Sequence, residues 1–286
     1  NGRDFPLQRQ FALSRDRVTG VMPNSAQLGA PGGYYVDSSQ TMEYNGWQTS
    51  VRKRFSNHYS FDANYTFSKT VATQGGDLAV YSLSNVNNTQ DFWDPELDRG
   101  PGVNDLRHRV SALFITELPL LAGQNTIVRG VAGGWQVSGV VTARSGNPLT
   151  VTQASGIVNS RPDIVPGVPV VIDNWRDTCD ATGCNYLNPA AFVRVPVNAT
   201  TNATTRPGTY IFGDARSPAE WDMNLTLAKN FAAGGGRRLQ VRADFFSLFN
   251  KLNWANPVTA ITASDFGRLT SALGSRTMQI GARLTF

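Results

Sequence analysis

The last stretch of the chain, Thr277-Met278-Gln279-Ile280-Gly281-Ala282-Arg283-Leu284-Thr285-Phe286, decides the fold. Met278, Ile280, Ala282, Leu284 and Phe286 fall on alternate positions, and Gln279, Gly281, Arg283 and Thr285 fill the others. A period of two is the period of a β-strand, so one face is oily and the other polar. A strand of about 9–11 residues with an oily outer face and an aromatic residue at its end is the unit of a transmembrane barrel. One such strand proves little, so the reading depends on whether the pattern recurs.

It recurs upstream. Trp47, Thr49, Val51, Lys53 and Phe55 alternate with Gln48, Ser50, Arg52 and Arg54. After a Ser56-Asn57-His58 turn, Tyr59, Phe61, Ala63, Tyr65 and Phe67 alternate with Ser60, Asp62, Asn64, Thr66 and Ser68. This is a hairpin with two membrane-length strands. Further strands follow at about Arg107–Leu118, where Leu113 and Ile115 blur the alternation, and at Trp135–Arg144, Trp221–Phe231 and Leu239–Phe245. Residues 1–40 read as an external loop with one candidate strand at Leu7–Arg15, and residues 41–286 read as barrel.

The intervening connections alternate in length. Residues 56–58 and 232–237 are short, 119–134 is moderate, and 69–105, 145–220 and 250–275 are long. Membrane barrels with short periplasmic turns and long external loops have this rhythm. In that orientation Phe55, Tyr59, Trp135, Phe231 and Phe286 form a periplasmic aromatic girdle, and Trp47, Phe67 and Trp221, with Phe249, an external one. The charges on the oily faces, Lys53 and Lys229, sit near the periplasmic girdle, where they reach toward water. The long 145–220 connection, including Asn198-Ala-Thr-Thr-Asn-Ala-Thr-Thr205, reads as a solvated loop.

Composition limits the alternatives. No run of eighteen apolar residues exists, which excludes helical spans, and a slightly negative mean hydropathy is what alternating strands produce. The net charge of +5 is spread along the chain without a basic block, which argues against nucleic-acid binding. His58 and His108 lack metal-site spacing, and no nucleophile elbow, P-loop or catalytic triad appears, so enzyme activity is not expected. Asp91, Asp94, Glu96 and Asp98 are weak candidates to hold calcium, against the favoured reading of a hydrated loop pinned by Arg99, Arg107 and Arg109. Phe92 and Trp93 beside them read either as a ligand-contacting tip or as rim packing. Cys179 and Cys184, close together in a polar stretch, read as a local disulfide of an exported loop.

A series of words in this order then carries a family resemblance: Tyr44-Asn-Gly-Trp-Gln48, Arg52-Lys-Arg-Phe-Ser56, Tyr65-Thr-Phe-Ser-Lys69, Asp98-Arg-Gly-Pro101, Asp105-Leu-Arg-His-Arg109, Gly133-Gly-Trp-Gln-Val-Ser-Gly139, Asn188-Pro-Ala-Ala-Phe192, Arg242-Ala-Asp-Phe-Phe-Ser-Leu-Phe-Asn250 and Phe266-Gly-Arg-Leu-Thr-Ser-Ala272. From about residue 40 onward the chain resembles TonB-dependent receptor-like outer-membrane proteins, in particular the Oar-like branch with an amino-terminal carboxypeptidase-regulatory-like domain. Its end resembles the terminal strand that the outer-membrane assembly machinery recognises. The resemblance implies a barrel of more than twenty strands, an internal plug and a TonB box. Seven strands, eight at most, are legible here, with no plug or TonB box.

The expectation is therefore an all-β, antiparallel transmembrane β-barrel segment, the carboxy-terminal part of a larger receptor in a bacterial outer membrane with its carboxy terminus at the periplasmic side. Its partners would be outer-membrane lipid, the plug and upstream strands, and the TonB system. Arg52, Arg54, Asp62, Asn64, Arg144, Asp222, Arg242, Asp244 and Arg283 would line the lumen of a transporter. Two other functions stay open: a structural or adhesin barrel, and a soluble secreted carbohydrate-binding β-sandwich.

Overall fold

Alternating side chains on successive segments with short turns dictate a meander, and a meander is what the chain forms. The computed structural model describes residues 2–10, 34–73, 90–91, 94–102, 104–118, 133–155, 160–232 and 235–286, with side chains from residue 41 onward. Eight long strands follow one another: β1 Gly2–Gln10, β2 Tyr34–Ser56, β3 Tyr59–Ala72, β4 His108–Leu118, β5 Trp135–Arg144, β6 Glu220–Ala232, β7 Arg238–Phe246 and β8 Thr277–Thr285. Each pairs antiparallel with its sequence neighbours, and the short Gly100–Pro101 segment adds to the top of β3. The sheet is open: among the described residues nothing pairs β8 back to β1 or β2.

The amino-terminal reading needs correction. The candidate strand at Leu7–Arg15 lies instead at Gly2–Gln10, and residues 11–15 fall outside the described ones. Residues 34–40, read as loop, are strand, paired with β1 from Tyr34 to Met42. Pro6 lies inside β1, although proline lacks a donor and normally stops a strand. It is tolerated on an edge strand, and register shifts flank it here. The 23 residues of β2, at about 3.3 Å each, run on the order of 75 Å, far more than a bilayer requires.

At one end of the sheet the turn between β2 and β3 is tight. Asn57 and His58 both have positive φ (51° and 70°), the backbone that a two-residue hairpin loop requires and that asparagine tolerates better than most residues. At the other end the long connections gather into a cap. The 145–220 connection is not a solvated loop: Leu149, Val151, Trp175, Tyr186, Leu187, Phe192 and Tyr210 form a buried core there with Leu269 from the 250–275 connection. Ala203 and Thr204, within the Asn/Thr-rich run, are buried as well. Two-residue ladders stitch the cap: Asp163–Ile164 with Phe192–Val193, and Cys184–Asn185 with Arg268–Leu269. They are too short to leave a periodic trace in the sequence.

Candidate functional site

The strand registers sort side chains onto two faces. Arg52 stands opposite Asp62, Asp62 opposite Leu113, and Leu113 opposite Val140. One step toward the cap, Asn64, Ser111, Thr142 and Asp222 follow one another across β3 to β6. Toward the turns, Thr226 opposes Asp244, which opposes Gln279; Ala228 opposes Arg242; Gln240 opposes Arg283. Arg52, Asp62, Asn64, Arg144, Asp222, Arg242, Asp244 and Arg283 thus share one face, and Arg54 lies in the irregularity between Lys53 and Ser56. Leu113, Ile115 and Val140 form an apolar island on that polar face, which explains the blurred alternation of β4.

Several charges on this face are tied in pairs. Arg52 donates to Asp62 (2.6 Å), which also accepts from Asn64 (2.8 Å); Arg242 and Asp244 lie 3.1 Å apart; Arg144 pairs with Glu220. The opposite face is greasy and uncovered. Val51 is 54% and Ile280 83% exposed, Trp47 62%, and neither Phe61, Val137 nor Leu225 belongs to the buried core. Phe114 lies over Gly139, whose Cβ would come within 2.7 Å of the ring.

Of the aromatic residues proposed as girdles, Phe55, Tyr59, Phe231 and Phe286 stand exposed and Trp135 half-buried toward the turn end, while Trp47, Phe67, Trp221 and Phe249 are exposed toward the cap. Phe67 packs on His108, whose Nδ1 lies 2.9 Å from the Tyr65 hydroxyl, and Trp221 packs on Phe249. Lys53 and Lys229 both fold toward the turns. Lys53 donates to the Ser56 and Tyr59 carbonyls (2.8 and 3.1 Å) over the Tyr59 ring, and Lys229 donates to the Gly133 carbonyl (2.7 Å) between Trp135 and Phe231.

Buried ion pairs fasten the cap. Asp105 is fully buried and accepts from the Thr70 backbone (2.6 Å), from Arg107 (3.2 Å) and from Arg216, joining the rim of β3 to the 145–220 connection. Asp98, also fully buried, accepts from the Gln90 backbone and faces Arg161 at 2.8 Å. Burial pushes the Asp98 carboxyl up to about 6, against the opposing pull of Arg161. Among the described residues Nε and Nη1 of Arg161 have no hydrogen-bond partner. Asp98 is thus pinned by Arg161, 63 positions downstream; of the neighbouring arginines Arg107 pairs with Asp105 and Arg99 with Glu43, while among the described residues Arg109 forms no ion pair. Asp94 accepts from the Glu96 backbone and caps the short Pro95–Asp98 helix. Asp91, Asp94, Glu96 and Asp98 do not converge: among the described residues no group of three or more His, Cys, Asp or Glu could hold a metal. Phe92 and Trp93 lie outside the described residues.

Cys179 and Cys184 form a disulfide. Arg268 clamps the bridged loop from the 250–275 connection, donating to Asp180 (3.0 Å), Thr182 (2.8 Å) and Asn185 (3.2 Å). Hydrogen bonds from Thr182, and then Arg268, hold the Asp180 carboxyl below its usual range. Arg206 clamps Asp163 with two bonds of 2.7 and 2.5 Å and lowers it likewise.

Where the polar face meets the cap, a cavity of roughly 310 Å³ opens, lined by Arg109, Ser111, Thr142, Arg144, Glu220 and Asp222 among others. Arg109 stands directly opposite Arg144, and Arg144 opposite Glu220. Arg144 and Asp222 were legible as residues of the polar face from alternation. Arg109 shares their parity with Ser111, a signal that was present, whereas Glu220 sits at the strand start where alternation has not yet begun.

No curated protein sequence matches the chain. A solved structure that it resembles is the outer membrane transporter YddB from Escherichia coli, at 7% identity and a TM-score of 0.42, over 88% of this chain and 26% of that one. The chain spans about a quarter of that transporter's length. A model of the outer membrane beta barrel domain matches residues 17–279. With the open antiparallel sheet and its lipid-ready face, this places the chain in the family of outer-membrane β-barrel domains.

Proposed function

We propose that this chain is part of a TonB-dependent receptor of the Oar-like kind, whose cap captures a solute and whose polar face lines the route inward. The observation that carries the reading is the polar face, which runs from the cavity under the cap along β6, β7 and β8 to Gln240 and Arg283 near the turns. A barrel serving only as a surface anchor has no need of paired charges along its whole interior. The apolar island of Leu113, Ile115 and Val140 fits the same reading, because an internal plug would cover it. The open edges, β8 and the part of β2 beyond β1, are what the remaining strands of a larger barrel would pair. In this arrangement the tight turns and Phe286 face the periplasm, and the cap faces outside. The receptor acts by binding and passage.

Adhesion is the second reading, favoured by the cap itself, which is folded and cross-linked as a recognition surface would be. The two separate in cells carrying the complete protein. A transporter takes up a solute only while the inner membrane is energised and loses uptake when its plug or TonB box is deleted. Attachment that survives both treatments, without uptake, would leave adhesion alone.

A further inference from the structure

Charge on the cavity wall is unevenly matched. Arg144 is neutralised by Glu220, while among the described residues Arg109 and Asp222 form no ion pair. Arg109 stands opposite Arg144 across the strand pair, and Glu220 answers the charge of Arg144 alone. Asp222 lies across β5 on the other side, one row nearer the turns, beside Thr142. The cavity therefore carries one unanswered cation at one end and one unanswered anion at the other, with the hydroxyls of Ser111 and Thr142 between them.

We propose that this cavity binds a short zwitterionic peptide, its terminal carboxylate on Arg109 and its terminal ammonium on Asp222. Arg109 is suited to the carboxylate because its planar guanidinium matches two oxygens at once. The spacing fits as well. Two inter-strand steps of ~4.8 Å and two residues of ~3.3 Å separate the two Cα atoms by about 12 Å. The side chains close part of that distance, and two or three residues at ~3.3–3.6 Å each bridge the remainder. A cavity of roughly 310 Å³ is at the small end of ligand sites, which suits such a peptide and not a large chelate.

The assignment rests on the reading of the polar face as a transport route, and the test keeps the two apart. Calorimetry on the complete protein in detergent compares trialanine with N-acetyl-trialanine and trialanine amide. Trialanine is expected to bind, and either cap to weaken binding by about ten- to a hundredfold, the loss of one charged hydrogen-bond partner. Arg109→Gln should abolish discrimination between acid and amide while keeping preference for the free amine; Asp222→Asn should do the reverse. Absent trialanine binding, or capped peptides binding as tightly as the parent, would overturn the site, and that comparison needs no variant. Energised uptake of another solute without trialanine binding would overturn the site alone. Trialanine binding without uptake would overturn the transport route and leave the site standing.

Discussion

Sheet and cap solve opposite problems. The sheet turns Val51, Leu225 and Ile280 to one face and gathers Arg52, Asp62 and Arg242 on the other, while the cap hides Leu187, Phe192 and Tyr210 in a core of its own. For the sheet, lipid completes the burial of apolar surface. The cap has to complete it alone, and it does so with buried ion pairs as well as grease. The two regions should therefore fail under different substitutions and different conditions.

The largest effect is expected in the cap. Asp98→Ala removes the acceptor of the Gln90 backbone N–H and the group packed against Arg161, which is 4% exposed, and leaves a void; an orphaned buried donor together with a cavity costs about 3–5 kcal/mol. Hydrogen exchange should quicken in peptides around residues 160–172 and 208–215, with β6 and β7 unchanged. Replacing both partners by apolar residues, Asp98→Leu with Arg161→Met, should recover much of the loss. Unchanged exchange in the single variant would mean that Asp98 does not hold the cap.

In the sheet, the sharpest contrast lies between neighbours. Val51→Arg places a charge midway between Trp47 and Phe55 on the greasy face and should cost about 2–4 kcal/mol of barrel stability in a bilayer. Ser50→Arg, one position away on the polar face, should cost little. Unfolding titrations in lipid vesicles read both. If Ser50→Arg proved the more damaging, the two faces would have to be exchanged.

The same contrast explains what the sequence made legible. Strand pairing leaves a period of two wherever one face differs chemically from the other, so the hairpin at 47–67 and the strand ending at Phe286 could be read directly. Even Arg144 and Asp222 in the cavity followed from parity. The cap offered no period. Its core draws Leu149, Trp175, Tyr210 and Leu269 from positions up to 120 residues apart, and its ladders are two residues long. Arg161 could not be matched with Asp98 from spacing, because the contact exists only after the chain has folded across the barrel mouth. The disulfide was the exception, since its ends are local.

That disulfide should matter less than the buried pair. It closes a loop of only about six residues, and the loop-entropy relation gives on the order of 2 kcal/mol for such a ring. Cys179→Ser with Cys184→Ser should lower cap stability by that amount, because Arg268 still grips Asp180, Thr182 and Asn185. Reductant should shift cap exchange in the unmodified protein and leave the double variant unaffected. A cap that unfolded completely on reduction would show that the Arg268 clamp contributes nothing without the bond.

The last contrast is a dependence of the cap on pH. Asp98 holds its proton up to about pH 6 in the folded cap, above the ordinary carboxylate value of 3.8, so between roughly 4 and 6 the folded cap binds more protons than the unfolded chain. Cap stability should accordingly fall as pH rises through that window and be greater below it. Asp163 and Asp180 act with the opposite sign: Arg206 and Thr182 depress them, so their contribution is present above the ordinary value and is lost as pH falls below it. The two limbs together place a maximum between pH 4 and 5. Asp98→Asn keeps an oxygen for the Gln90 backbone, so it should spare the cap far better than Asp98→Ala while flattening the upper limb alone. Cap unfolding followed by hydrogen exchange from pH 3.5 to 7.5 would test this. An upper limb that persisted in Asp98→Asn would assign it to another group.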